Sequence, residues 1–122
     1  MREIAAGMIK VKKSKFYTHL YEIESMEDID EILKEHRKKY KKAVHHCWAA
    51  IVKGEEKFKD DGEVGHPGKV LLGVLKKYNA ENRALVVSRI FGGIKLGVGG
   101  VARAFRDAGE SVMQYLENEK NK

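Results

Sequence analysis

The stretch from Arg89 through Gly92, Gly93, Lys95, Gly97, Gly99 and Gly100 to Arg103 puts guanidinium groups, an ammonium and five glycines into one short run. Glycine holds no Cβ over its backbone N–H, so a phosphate or carboxylate can approach such amides closely. A helix opening just beyond them adds positive potential. With Lys95 and Arg103 supplying full charges, the segment is a candidate anion cradle, and Arg106 lies one helical turn further on. The same glycines could instead serve positive-φ turns and close packing of helix on sheet. The spacing is neither Gly-x-Gly-x-x-Gly nor a P-loop, since no Gly-Lys-Ser/Thr follows. Standard dinucleotide and nucleoside-triphosphate folds therefore gain no support.

A second cluster, Asp60-Asp61-Gly62-Glu63, is complementary in charge. Arg89 ends an apolar run, where an unpaired guanidinium is costly, and these acids are its natural partners. A structural ion pair and a ligand-binding arginine both stay open. The acids, with His46 and Lys69, could support a ligand or hold a divalent cation, but their spacing matches no standard metal motif. No resident metal or cofactor is expected. His45 and His46 are adjacent, so in a strand they face opposite sides and at most one meets the glycine loop. Cys47 beside Trp48 reads as a small buried hydrophobe, and no Cys-His-Asp arrangement points to nucleophilic catalysis.

The elements that must position these groups follow from periodicity. Residues 2–24 read as a hairpin, with Ile4, Ala6 and Met8 alternating in its first strand and Lys12-Lys13-Ser14-Lys15 near the turn. Ser25 with Asp28 marks a capping-box-like start for a helix to about Tyr40. Residues 43–52 are apolar at both parities, as in an interior strand. Residues 53–67 are charged and glycine-containing and are expected to form one long exposed loop, followed by a helix from Pro67 to about Lys77. Residues 84–91 predict a second buried strand. A glycine loop follows, then a long helix from Val101 whose stripe includes Phe105, Ala108, Val112, Tyr115 and Leu116. The order β-β-α-β-loop-α-β-loop-α predicts an α/β (α+β) fold, a two-layer sandwich of one mixed sheet covered by helices.

The chain has 122 residues, enough for a single domain over 1–122 that buries about two-thirds of the unfolded surface. Apolar runs are too short for a membrane span, and the first residues lack the continuous apolar core of a signal peptide. One cysteine rules out an intrachain disulfide. The expected location is therefore the cytoplasm. The net charge of +6 inclines the surface toward anions such as RNA, nucleotides or an acidic protein face.

Four ordered blocks resemble the Impact/YigZ family: Lys13-Ser14-Lys15-Phe16, His46-Cys47-Trp48-Ala49, Asp60-Asp61-Gly62-Glu63, and Arg89 to Gly97 continued by Arg103-Ala104-Phe105. The resemblance spans almost the whole chain. It implies the fold shared by a small-subunit ribosomal protein domain, translocase domain IV and GHMP kinases, one that largely serves RNA and phosphate binding. It also implies a link to translation control. At this length the chain resembles the minimal core, without the extra domains of longer relatives. It departs from the family where Pro-Ser-Gly-Thr-Ala-Gly-Lys-Pro usually follows the acids. Here Val64-Gly65-His66-Pro67-Gly68-Lys69-Val70 is one residue shorter and has no hydroxyls.

The expected function is a translation-associated regulatory binding protein, leaning away from an enzyme. Its partner would be RNA, the ribosome or a translation factor, met through the basic glycine-rich surface. Two alternatives stand beside it. One is an enzyme or sensor for a small phosphorylated metabolite, and the other is an interaction domain for an acidic protein.

Overall fold

A computed structural model describes residues 1–121. Its elements run β1 (Arg2–Val11), β2 (Ser14–Glu22), α1 (Asp28–Lys39), β3 (His45–Val52), β4 (Glu55–Lys59), α2 (Pro67–Lys77), β5 (Arg83–Ile90) and α3 (Gly97–Lys120). The strands form one sheet in the order β1-β2-β5-β3-β4. All neighbouring pairs are antiparallel, which corrects the expectation of a mixed sheet. The crossovers give the reason. Helix α1 joins β2 to β3 and α2 joins β4 to β5, and each joined pair runs parallel with one strand inserted between its members. The parallel relation never becomes a ladder.

Alternation assigns the two faces. Phe16 and Leu20 of β2, Cys47, Ala49 and Ile51 of β3, and Leu85 and Val87 of β5 pack against α2 and α3. The opposite set, Tyr21, Ala50, Val52, Ala84 and Val86, packs with Ile29 and Ile32 of α1. The expected two layers are thus the sheet with α2 and α3, and α1 adds a cover on the other face. Both faces of β3 and β5 are buried, which explains why those strands read as continuous apolar runs.

Two details differ from the sequence reading. In β1 a bulge between Glu3 and Ala5 shifts the register, so Ala5, Ile9 and Val11 pack toward the core while Met8 is exposed. Gly7 shares the inward parity, and a Cβ there would stand 3.3 Å from Val112 Cγ1. The segment 53–67 is not one loop, because it contains β4. Lys53 and Gly54, at φ 51 and 80, form the two-residue left-handed turn that returns the chain along β3. All of β4 is exposed, so no apolar alternation marks it.

Polar side chains line the sheet face under the C-terminal end of α1. His36 meets the Tyr21 hydroxyl through Nε2 at 3.0 Å and Ser88 Oγ through Nδ1 at 2.7 Å, and Ser88 Oγ also meets His46 Nδ1 at 2.7 Å. Ser88 has one hydroxyl proton, so it can donate to only one ring and at least one of the two must donate to it. His19 bridges Glu3 and the Tyr40 hydroxyl. Burial strips hydration from His36, and His19, His46 and Lys39 oppose a further positive charge, so its pKa falls to about 3. Burial lowers His46 as well. In the unfolded chain a histidine titrates near 6.5. Below that pH the unfolded state binds a proton that folded His36 refuses, so stability is full above about 6.5 and declines on acidification. The expected loss from His36 is about 2 kcal/mol by pH 5. Urea midpoints at about pH 7 and pH 5 check this, and a His36→Gln variant should show a shallower decline.

Candidate functional site

Strand β5 carries Arg89 to the end of the sheet, paired across to Phe16 on one side and His45 on the other. Its side chain is 9% exposed and its Nη1 donates to Glu63 Oε2 at 3.1 Å, with the Glu63 side chain at 5%. Nη2 donates to Ser14 Oγ at 3.4 Å. The guanidinium carbon lies 5.5 Å from the Phe16 ring centroid and 5.7 Å from that of Phe91. Of the two roles left open for Arg89, the structure shows a buried ion pair.

Ser14 is fully buried and ties the glycine loop to the β1–β2 turn, because its Oγ also accepts the Gly92 N–H at 3.2 Å. A Cβ on Gly92 would lie 2.1 Å from the carbonyl carbon and oxygen of Lys13, so only glycine fits there. The turn itself consists of Lys12 and Lys13, both left-handed at φ 46 and 70. Two ammonium groups are thereby carried to the edge of the loop. Sequence reasoning placed them in a hairpin without counting them in the site. Spacing alone gives no such signal, since it is the register of β2 on β5 that sets Ser14 beside the end of β5.

The acidic run is a structural turn. Asp60 Oδ1 accepts the Gly68 N–H at 2.8 Å within the first turn of α2, supplying the cap that His66 does not. Its Oδ2 stands 3.4 Å from His66 Nδ1. Asp61 Oδ2 accepts the His46 N–H at 2.8 Å, and the Asp61 carbonyl accepts from His45 Nδ1 at 2.7 Å. Glu63 Oε1 accepts the Val64 N–H at 3.0 Å. Each carboxylate has a backbone or guanidinium task. Among the described residues no three His, Cys, Asp or Glu side chains group as a metal site, and no helix is long and apolar enough to cross a membrane.

Adjacency splits the two histidines as expected. His46 points to the α1 face and Ser88, while His45 stays with the acidic turn. Cys47 donates its thiol to the Asp60 carbonyl at 3.1 Å. Burial, with Glu63, Asp61 and Asp60 nearby, pushes its pKa up, which leaves a poor nucleophile. Iodoacetamide is expected to spare Cys47 in the native protein and label it only after denaturation, as read by mass spectrometry.

Helix α3 begins at Gly97, a full turn before the expected Val101, so Gly97, Gly99 and Gly100 belong to its first turn rather than to the loop. Leu96 at the N-cap offers no side-chain hydrogen bond and the first turn holds no acid. Gly93 remains in the loop with exposed Lys95. Arg103 lines a cleft of about 210 Å³ with Lys12, Leu96 and Gly100. Arg106 lies elsewhere, 3.5 Å from Asp107 in a groove shared with Lys77 and Glu110. Lys69 is exposed in the first turn of α2. The structure thus brings Arg89, Glu63, Gly92 and Arg103 to the Lys12–Lys13 turn, and leaves His46 and Arg106 apart.

A second cleft, of about 180 Å³, lies beside Arg89 and is lined by Val44, His45, Glu63 and Phe91. The model of the Impact N-terminal domain matches residues 12–113, which includes every residue of this site. The chain belongs to the Impact N-terminal domain family. It is 37% identical over 97% of its length to the IMPACT family member YvyE of Bacillus subtilis, covering 55% of that protein. It is 31% identical over 91% of its length to the IMPACT family member YigZ of Escherichia coli, covering 57% of that protein. The chain thus spans little more than half of these Impact relatives. A crystal structure described as that of a hypothetical protein superposes with a TM-score of 0.84 at 29% identity, over 90% of this chain and 56% of that one. The two-domain translational regulator Yih1 shares the fold, with a TM-score of 0.59 at 22% identity over 93% of this chain and 46% of Yih1.

Proposed function

We propose that this Impact N-terminal domain is a regulatory binding module of translation that engages RNA, free or on the ribosome. The surface is the one formed by Lys12, Lys13, Lys95 and Arg103 around the start of α3. The observation that supports this most is charge left unmatched in one place. Among the described residues none of these four cations makes an ion pair, whereas Arg89 and Arg106 each have a carboxylate partner. The uncapped amides of α3 add positive potential beside Arg103. The process is taken from Yih1, a translational regulator of the same fold. The surface chemistry is this chain's own.

Phosphate contacts of this kind release condensed counterions, so affinity should fall steeply with salt. Titration against ribosomes and total RNA at two ionic strengths, with wild type and Lys95→Ala/Arg103→Ala, tests the reading. The double variant should bind more weakly and lose about 0.7 from the log–log salt slope for each single-strand phosphate contact removed. A salt-insensitive complex would overturn it. Saturable binding of one phosphorylated metabolite without affinity for RNA would replace it with the enzyme or sensor reading. Capture of an acidic protein, lost on charge reversal at Arg103 and Arg106, would replace it with an interaction domain or a translation-factor partner.

A further inference from the structure

We infer that the cleft between Val44 and Phe91 receives one unpaired nucleobase, stacked at the Phe91 ring and met at its polar edge by His45. This rests on the RNA reading above and adds to it a choice of single strand over duplex.

Three observations carry it. The walls are apolar and exposed, Val44 at 77% and Phe91 at 56%, although both flank a buried ion pair. The floor is polar and incompletely satisfied. Arg89 and Glu63 line the cleft as a buried ion pair, with Arg89 Nη1 and Nη2 engaged by Glu63 and Ser14. His45 is fixed in one tautomer. The Asp61 carbonyl can only accept, so Nδ1 carries the proton, and in the neutral ring Nε2 is a free acceptor.

A flat ligand with an apolar face and a donor on its edge for His45 Nε2 suits these walls and this floor. A nucleobase has that form, and unpaired bases are commonly held on aromatic rings and guanidinium planes. An aliphatic peptide side chain would fill the walls but leave His45 Nε2 unmatched. The surroundings favour nucleic acid as well. Gly92, the residue after Phe91, packs against the Lys12–Lys13 turn, so cations that can take the flanking phosphates stand next to the base. The cleft and the basic surface are then two parts of one strand-binding site. A base in a duplex is stacked and paired and cannot enter.

The test compares a short fluorescent single-stranded RNA of mixed sequence with the blunt duplex of the same sequence, by anisotropy at fixed salt. The variants are Phe91→Leu, His45→Gln and Lys95→Ala/Arg103→Ala. Phe91 is exposed, so Phe91→Leu should fold, and its melting temperature confirms that. Wild type should prefer the single strand. Phe91→Leu should weaken that complex about tenfold, leave duplex binding unchanged and leave the salt slope unchanged. Equal affinity for strand and duplex with no effect of Phe91→Leu would overturn the base cleft, while loss of both complexes in Lys95→Ala/Arg103→Ala would preserve the phosphate-binding reading. Failure of wild type to bind either RNA would overturn both. A labelled acidic peptide bound in a Phe91-dependent manner, without preference for single-stranded RNA, would make the cleft a protein-docking site and overturn the base assignment.

Discussion

Replacing Glu63 with alanine should destabilise the protein by about 3–5 kcal/mol, the largest effect expected of any single surface-proximal change in this fold. The variant leaves the Arg89 guanidinium 9% exposed with no counter-charge, and Nη1 loses its acceptor at 3.1 Å. Removing one member of a buried pair costs far more than the pair itself is worth, because the remaining charge is still desolvated. For a chain of this size the melting temperature should drop by roughly 10–20 °C. The double variant Glu63→Leu/Arg89→Met should recover much of that loss, since matched apolar side chains can replace a buried pair at little cost. If Glu63→Ala melts within a degree or two of wild type, the pair is not desolvated in solution.

The second large effect is expected at Gly92. A Cβ there would meet the Lys13 carbonyl group at 2.1 Å, a backbone neighbour that cannot turn aside as a side chain can. Gly92→Ala should therefore push the Lys12–Lys13 turn off the end of β5, break the 3.2 Å bond from Gly92 N to Ser14 Oγ, and cost about 3 kcal/mol or more. Gly93→Ala makes the contrasting case. Gly93 has φ 91 with open space around it, so the same methyl brings only backbone strain of about 1–2 kcal/mol. Chemical denaturation of the two variants side by side separates a clash from a conformational preference. Equal losses would show that the close approach at Gly92 is not maintained in solution.

What was legible in the sequence divides along physical lines. Strands β3 and β5 were readable because they are buried on both faces and so lack polar interruptions. Helices α1 and α2 were readable from their apolar spacing and from Pro67. The family blocks led to the right family and fold class. Strand β4 was invisible because its stability comes from pairing with β3 through Lys53–Gly54, while its own side chains are all exposed. The inward face of β1 was misassigned because a bulge changes parity, and parity is all that a strand pattern offers. In the site, only Glu63 of the three acids expected to partner Arg89 pairs with it, while Asp60 and Asp61 hold backbone N–H groups in a turn geometry that residue types alone do not specify. Ser14 and the two turn lysines join the site only through the sheet register, which places the start of β2 beside the end of β5.

The order of strands has a consequence for how the molecule is made. Strands β1 with β2, and β3 with β4, are hairpins that can close locally, but the strand that bridges them, β5, is the last of the five to be synthesised. Until it arrives, β2 and β3 each present an open edge, and the long-range pairings that complete the sheet must wait. A nascent chain stopped short of residue 83 should therefore hold two loosely associated hairpins with their apolar faces uncovered, a species prone to aggregate. Because β5 also carries Ser88 and Arg89, the histidine network on one face and the ion pair on the other form in the same event that zips the sheet shut. Closing the sheet and assembling these two polar clusters are thus expected to be one event.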